Sequence, residues 1–79
     1  MQTITLKLTK SEWELFEGKY NQVKMFCQGK DFVLDVLDVD KFREFLNDES
    51  NGKNVELGRI TMSDYNNLKS ILSKLDKAI

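Results

Sequence analysis

The sequence contains no histidine, and its only cysteine among 79 residues is Cys27. The absence of histidine excludes Ser-His and Cys-His nucleophile pairs, histidine-ligated zinc and a histidine-based pH switch. A lone cysteine cannot form an intramolecular disulfide or a cysteine-based zinc cluster. Because a small chain without disulfides is typical of a reducing compartment, we expect a cytoplasmic location.

Long apolar runs are also missing. The longest stretch without a charged residue is Met1–Leu6, which is far too short to span a bilayer. The N-terminus lacks the basic segment and apolar core of a signal peptide. Length and composition therefore predict one small soluble α+β domain covering residues 1–79, with no membrane partner.

The charge is small in total and uneven along the chain. The formal net charge is −1, but residues 31–49 contain seven acidic and two basic side chains. A nucleic-acid-binding protein usually shows a clear positive excess, so direct nucleic-acid binding is disfavoured. An acidic segment favours a cationic partner, although it is also typical of the solvated face of a helix.

Three junctions have the pattern of a helix N-terminus placed directly after an apolar run. Thr9 and Glu12 fit a capping box, Asp38 fits an N-cap, and Thr61 with Asp64 repeats the first pattern. The sequence therefore predicts a strand followed by a helix three times. The last helix, with an apolar stripe from Tyr65 to Leu75, is the clearest.

The strands follow from alternation and from apolar runs. Residues 4–8 alternate apolar and polar, and Phe32–Leu37 is nearly continuous apolar around Asp35. Residues 55–60 alternate with a slip at Gly58, which we interpret as a β-bulge in a third predicted strand.

Residues 10–30 support two interpretations. In the first, a helix ends near Gly18, Gln22–Gln28 is a strand, and Gly29-Lys30 turns a hairpin. The order is then β-α-β-β-α-β-α, a ferredoxin-like split βαβ with a C-terminal helix. In the second, one helix extends to Gly29 and the order is β-α-β-α-β-α, a two-layer α/β fold. The β-prone residues 23–27 favour the hairpin.

Acidic side chains are the best candidates for a binding site. Asp40, Glu44 and Asp48 are four residues apart and share one face of the second predicted helix, with Asp35 and Asp38 just before it. Closely spaced carboxylates can imitate the phosphates of a nucleic acid and occupy a basic groove of another protein. We predict these five residues as the partner-binding site.

Catalytic and cofactor sites are not indicated. The run from Asp35 to Asp40 lacks the glycine and the spacing of a calcium loop, so we predict no metal site. No glycine-rich phosphate-binding loop is present, and we predict no cofactor. With no histidine beside it, Cys27 is expected to be a small buried apolar residue. The sequence therefore predicts a protein that is not an enzyme.

The N-terminal sequence resembles two known families. Residues 3–13, from Thr3 to Trp13, look like the start of a ribbon-helix-helix repressor, which implies that Thr3, Thr5 and Lys7 face DNA. That family needs a second helix where this sequence has the strand pattern of Phe32–Leu37. Residues 1–7 are similar to a short stretch of a phage-encoded Cas9 inhibitor, a small anti-CRISPR protein. This resemblance implies a non-catalytic inhibitor that blocks a nucleic-acid site with carboxylates.

Together these features predict a protein-binding module, of the kind found as inhibitors in phages or mobile elements. Its partner would be a larger protein, for which a nucleic-acid-binding effector is one candidate. The contact would be made through an acidic face. Two alternatives stay open: a nucleic-acid-binding regulator that uses the N-terminal strand, and a structural homodimer built on residues 62–79.

Overall fold

The computed structural model describes residues 3–78, which form three strands and five helical segments. They are β1 Ile4–Lys7, α1 Lys10–Gly18, a 3₁₀ helix Asn21–Met25, β2 Cys27–Lys30, β3 Val33–Val36, α2 Val39–Glu49, α3 Gly52–Glu56 and α4 Met62–Ala78. Helix accounts for 62% and strand for 16%, which confirms the α+β class. None of the helices within residues 3–78 has the length and apolarity needed to cross a membrane.

The three strands form an antiparallel sheet in the order β1-β3-β2. Val36 of β3 pairs with Ile4 on one side and Cys27 on the other. β1 and β2 therefore run parallel to each other with β3 between them, which is the arrangement of a split βαβ unit. A hairpin of β2 and β3 is present, as the first interpretation of residues 10–30 predicted, but the predicted order β-α-β-β-α-β-α is not confirmed. The single long helix of the second interpretation is wrong because α1 ends at Gly18.

The three predicted helix N-termini are present. Thr9 and Glu12 form a complete capping box, with the Thr9 amide donating to Glu12 Oε1 at 2.8 Å. Asp38 Oδ1 accepts from the Lys41 amide at 3.1 Å, and Thr61 Oγ1 accepts from the Asp64 amide at 3.0 Å. Each cap satisfies an amide that the first helical turn leaves unpaired, so local chemistry sets where α1, α2 and α4 begin.

The hairpin turn lies two residues later than predicted. Gly29 and Lys30 belong to β2, and the turn is formed by Asp31 and Phe32 with φ of 52° and 66°. A β-carbon on Gly29 would lie 2.7 Å from the Trp13 ring, so glycine is needed there for close packing rather than for turning. The predicted strand start is also wrong, because residues 21–25 form the 3₁₀ helix.

The last predicted strand, at residues 55–60, is wrong. Asn51 Oδ1 accepts from the Lys53 amide at 2.9 Å and begins the short helix α3 instead. The Arg59 amide donates to Asn54 and the Gly58 amide to Val55, which is the Schellman pattern of a helix end. Gly58 has a φ of 71° and is therefore the residue that ends α3, not a bulge.

The core lies between the helices and one face of the sheet. The side chains of Phe42, Leu46, Leu68, Ile71 and Leu75 are completely buried. α4 packs on both α1 and α2, and it also contacts β1. Burial of whole leucine, isoleucine and phenylalanine side chains contributes about 1.5–3 kcal/mol each, so α2 and α4 together supply much of the apolar stabilisation.

One charged side chain, Glu12, is buried within this core. Its exposed fraction is 1%, and its Oε1 accepts from Lys74 Nζ of α4 at 2.5 Å. Burial opposes ionisation, but Lys74 and the Thr9 amide outweigh it, so the pKa of Glu12 lies below its usual value. The ion pair joins the first turn of α1 to the last turns of α4.

Candidate functional site

Three of the predicted site residues form a single exposed surface on α2. Asp40, Glu44 and Asp48 are all exposed and are spaced one helical turn apart. Side chains at this spacing are neighbours along one face of the helix. We call these three residues the acidic face.

Asp38 lies at the beginning of the same helix but has a structural task. It is half-buried, and its Oδ1 is occupied by the Lys41 amide of the first turn. A capping residue of this kind typically stabilises a helix by about 1 kcal/mol. Asp38 therefore lies next to the acidic face without being a free part of it.

Asp35 is separated from the other four predicted residues. It lies in β3 opposite Thr5 and Gln28, on the sheet face that is not covered by the helices. Its Oδ1 accepts from Thr5 Oγ1 at 2.8 Å. The structure thus places four of the five predicted residues on or beside α2 and the fifth on the open sheet face.

A groove with aromatic walls runs beside the acidic face. The rings of Phe26 and Phe45 are 6.1 Å apart, and they line a cavity of about 390 Å³ together with Glu44 and Asp48. The remaining lining residues are Gln22, Lys41 and Glu49. We call this cavity the α2 groove. It adds an apolar surface to the carboxylates, so a partner could be held by packing as well as by charge.

The acidic face takes no part in the ion pairs found among residues 3–78. Those pairs join Lys19 to Asp64, Arg43 to Asp76 and Lys74 to Glu12. No cation within residues 3–78 forms an ion pair with Asp40, Glu44 or Asp48, although Lys41 lines the same groove. A dense negative surface of this kind raises the association rate with a positively charged partner.

Two buried groups have raised pKa values, and one of them, Tyr20, packs against Phe45 of the α2 groove. Burial raises the pKa of the Cys27 thiol to about 12, and only 3% of this residue is exposed. Burial also raises the pKa of Tyr20, with further contributions from Glu49 and Asp64. Among the described residues, no group of three or more histidine, cysteine, aspartate or glutamate side chains is arranged to hold a metal ion.

The C-terminal stripe that suggested a homodimer is used inside the protein. Leu68, Ile71 and Leu75 are completely buried against α1 and α2. Of the rest of the stripe, Tyr65 and Leu72 are half-buried. The stripe therefore supplies part of the protein's own core, while Tyr65, Leu72 and Met62, whose exposed fraction is 58%, leave some apolar surface of α4 exposed.

The N-terminal strand presents its polar side on the open sheet face. Thr5 and Lys7 are exposed, and Lys7 lies opposite Val33, which in turn lies opposite Lys30. Two lysines thus flank a half-buried valine on a surface that the helices leave uncovered. Asp35, beside Thr5, places one negative charge on the same face.

Comparisons with known proteins give this chain no relatives: no family model, no curated protein and no solved structure matches it. The geometry of residues 3–78 is therefore the basis for any functional conclusion.

The sequence predicted the acidic residues but missed the groove beside them. Phe26 and Phe45 are far apart in sequence, and both fit the pattern of ordinary core aromatics. Only the pairing of β2 with β3 brings Phe26 to α2, since the Phe26 carbonyl accepts from the Leu37 amide at 2.8 Å.

Proposed function

We propose that this protein is a non-enzymatic binding module that attaches to a positively charged surface of a larger protein through the acidic face of α2. The observation that carries the proposal is the row of three exposed carboxylates, free of ion pairs, beside the aromatic α2 groove. Charge gives such a contact its rate and orientation, and the buried aromatic surface gives it affinity.

The most suitable partner is a nucleic-acid-binding protein. Carboxylates along a helix can take the place of backbone phosphates in a basic groove, and a protein bound in this way excludes the nucleic acid. Inhibitors of this kind are expected from phages and mobile elements. The resemblance to a Cas9 inhibitor adds no support for the acidic face, because residues 1–7 contain no acidic side chain.

The absence of a reactive constellation among residues 3–78 supports a binding role. The Cys27 thiol is buried with its pKa raised to about 12, so little nucleophilic thiolate is present at neutral pH. The Glu12 carboxylate is buried and already paired with Lys74. Neither group can reach a substrate from solvent.

The experiment compares two charge reversals of equal size. The double variant Asp40→Lys/Glu44→Lys changes the acidic face, whereas Glu14→Lys/Glu56→Lys changes two exposed acids on α1 and α3. Each is immobilised and used to capture proteins from the native host, with quantitative mass spectrometry. We expect a partner that the wild type and the control retain and that the acidic-face variant loses.

The captured partner then allows a direct test of inhibition. Adding the wild-type protein should displace nucleic acid from the partner, and the displacement should weaken as salt is raised. The proposal is wrong if every captured protein binds the acidic-face variant as well as the wild type at physiological salt.

A second candidate function is nucleic-acid binding by the open sheet face, which the Lys7–Val33–Lys30 row favours. Exposed lysines beside a small apolar surface can contact a phosphate backbone. An electrophoretic shift at low salt that Lys7→Glu abolishes would support it. Absence of a shift at every salt concentration would exclude it.

A further inference from the structure

The α2 groove combines aromatic rings with an excess of negative charge. Phe26 is half-buried and Phe45 is 8% exposed, and the planes of their rings are inclined by 45°. Three acids and one base line the same groove, a net charge of −2. These charged residues are Glu44, Asp48, Glu49 and Lys41. Charge complementarity therefore favours a cationic occupant that also packs on an aromatic ring.

Lys41 does not neutralise the far end of the groove. It lies seven residues before Asp48, which is about 10 Å along the helix axis. It joins no ion pair among residues 3–78, and the cation found over an aromatic ring within those residues is Lys69, over Tyr65. The ring of Phe26 and the carboxylate of Asp48 are thus open to a cation from outside the chain.

The last turn of α2 makes this end of the groove more negative. Asp48 and Glu49 lie there, and the turn contains no basic residue. Carbonyl groups at a helix C-terminus carry partial negative charge, so acids at this position are unfavourable for the helix itself. Lys19 and Arg59 line the neighbouring cavity with the two acids, but neither forms an ion pair with them, and Lys19 pairs with Asp64. Breaking a local folding rule without an internal compensation is typical of a functional position.

A guanidinium group fits the groove better than an ammonium group. It is planar and weakly hydrated, it stacks on aromatic faces, and it can donate to two carboxylates at once. Glu44 and Asp48 are exposed one helical turn apart and can accept these hydrogen bonds. Glu49 is less suited, because it lies near the Tyr20 hydroxyl and helps to raise its pKa. An ammonium group is more strongly hydrated and stacks less well.

We propose that the α2 groove binds one arginine side chain of the partner protein, with the guanidinium stacked on Phe26 and donating to Glu44 and Asp48. This inference rests on the proposed function, because it names the residue type by which the groove recognises the positively charged partner surface. Asp40, nearer the start of α2, contacts other cations of that surface. Arginine is among the residues that supply most of the binding energy at protein interfaces, so this contact anchors the complex.

The probe is a short glycine- and serine-rich peptide with one central arginine, blocked at both ends so that it carries no other charge. Two matched peptides carry lysine or citrulline instead, and citrulline has the shape of arginine without its charge. Binding to the full chain is followed by NMR at the ring signals of Phe26 and Phe45. We expect saturable binding of the arginine peptide, binding of the lysine peptide that is weaker by about threefold or more, and no binding of the citrulline peptide.

A pair of double variants tests the carboxylates. Glu44→Gln/Asp48→Asn keeps the shape of the groove and should weaken binding of the arginine peptide by about fivefold or more. Glu14→Gln/Glu56→Gln removes two exposed acids on α1 and α3 and should change the binding little.

A single variant tests the aromatic ring. Phe26→Leu keeps an apolar side chain but should reduce the preference for arginine over lysine toward one. Phe32→Leu, at an exposed aromatic of the hairpin turn, should leave that preference unchanged. The Leu37 amide donates to the carbonyl of residue 26, so an unchanged Leu37 signal shows that Phe26→Leu keeps the local fold.

Any of four results overturns the proposal. They are no saturable shift at millimolar arginine peptide, equal binding of the citrulline or the lysine peptide, unchanged binding by Glu44→Gln/Asp48→Asn, and an unchanged arginine preference in Phe26→Leu.

These peptides test the groove without the partner, so the two proposals fail separately. If a captured partner is lost by Asp40→Lys/Glu44→Lys but no arginine peptide binds, the proposed function stands and the arginine site is wrong. If the arginine peptide binds as expected but no partner is lost by that variant, the arginine site stands and the proposed function is wrong.

Discussion

The two outer strands of the sheet have different surroundings. At β1, the Lys7 carbonyl accepts from Lys74 Nζ of α4 at 3.0 Å, and the same ammonium pairs with the buried Glu12. At β2, Cys27 and Gly29 face outward without a backbone partner. At the β1 edge one outward carbonyl, that of Lys7, is therefore met by a side chain of α4, whereas no such contact is made at the β2 edge, which lies beside an apolar cavity.

The difference concerns the β1 edge, where the predicted strand of residues 55–60 would have paired and where α4 lies instead. In the predicted ferredoxin-like fold, a fourth strand would have extended this sheet. Residues 52–60 form α3 and its glycine-ended turn instead, and α4 contacts β1. A single lysine side chain meets a backbone group that a strand would otherwise have paired, which is one known way of protecting an edge.

The largest predicted effect concerns Cys27, on the β2 side of the comparison. A pKa of about 12 against an ordinary value of 9.0 lowers the thiolate fraction about a thousandfold near neutral pH. We expect labelling by a disulfide reagent to be about a thousandfold slower in the native protein than in urea. A native rate within tenfold of the unfolded rate would show that β2 opens easily.

The next largest effect is a loss of stability when the contacts of Lys74 near β1 are removed. Lys74→Met removes the lysine partner of Glu12, whose exposed fraction is 1%, and leaves the Thr9 amide as a donor to the buried carboxylate. Because Lys74 itself is 33% exposed, we expect a loss of about 1–3 kcal/mol, measured as the free energy of unfolding in urea. Lys77→Met, at an exposed position of the same helix, should change stability by less than about 0.5 kcal/mol. Equal effects of the two variants would show that the contacts of Lys74 with Glu12 and the Lys7 carbonyl do not stabilise the fold.

The same ion pair predicts a dependence of stability on pH. The pKa of Glu12 is lowered in the folded state, so its contribution is fully present above the usual value of 4.5 and is lost as pH falls through the folded pKa. The slope from this one group cannot exceed about 1.4 kcal/mol per pH unit. Glu12→Gln should flatten the urea stability profile in this acid range, and an unchanged slope would show that Glu12 does not contribute.

The smallest predicted effect is at the hairpin that joins β2 to β3. Asp31 and Phe32 both have positive φ, which favours Asn-Gly in a two-residue turn. Asp31→Asn/Phe32→Gly should relieve strain but also loses the Phe32 ring contact with Trp13, so we expect the free energy of unfolding to rise by less than about 1 kcal/mol. Phe32→Ala keeps the strain but loses the ring contact with Trp13, whose centroid is 5.8 Å away, and should lower stability. Stabilisation by both variants would contradict this account of the turn.

Prediction from the sequence succeeded where a feature depends on neighbouring residues. The caps at Thr9, Asp38 and Thr61 each involve a side chain and an amide three residues away, so their pattern is visible in the sequence. The strand pattern of β1 is equally local. The acidic face was visible for the same reason, because helical spacing alone places its three carboxylates together.

Prediction failed where two structures share one pattern. Residues 55–60 alternate like a strand, but Asn51 and Gly58 also mark the two ends of a short helix, and a one-turn helix has no apolar period to reveal it. Gly29 looked like a turn residue because its real constraint, the ring of Trp13, is far away in sequence.

The sequence by itself determined the α+β class, the starts of three helices, the position of β1 and the carboxylates of α2, since each follows from contacts within about one helical turn. Tertiary structure decided the rest. It placed Phe26 beside α2, Trp13 over Gly29 and Lys74 at the β1 edge, and it left β2 open. These features depend on pairing and packing between distant segments, which no local pattern encodes.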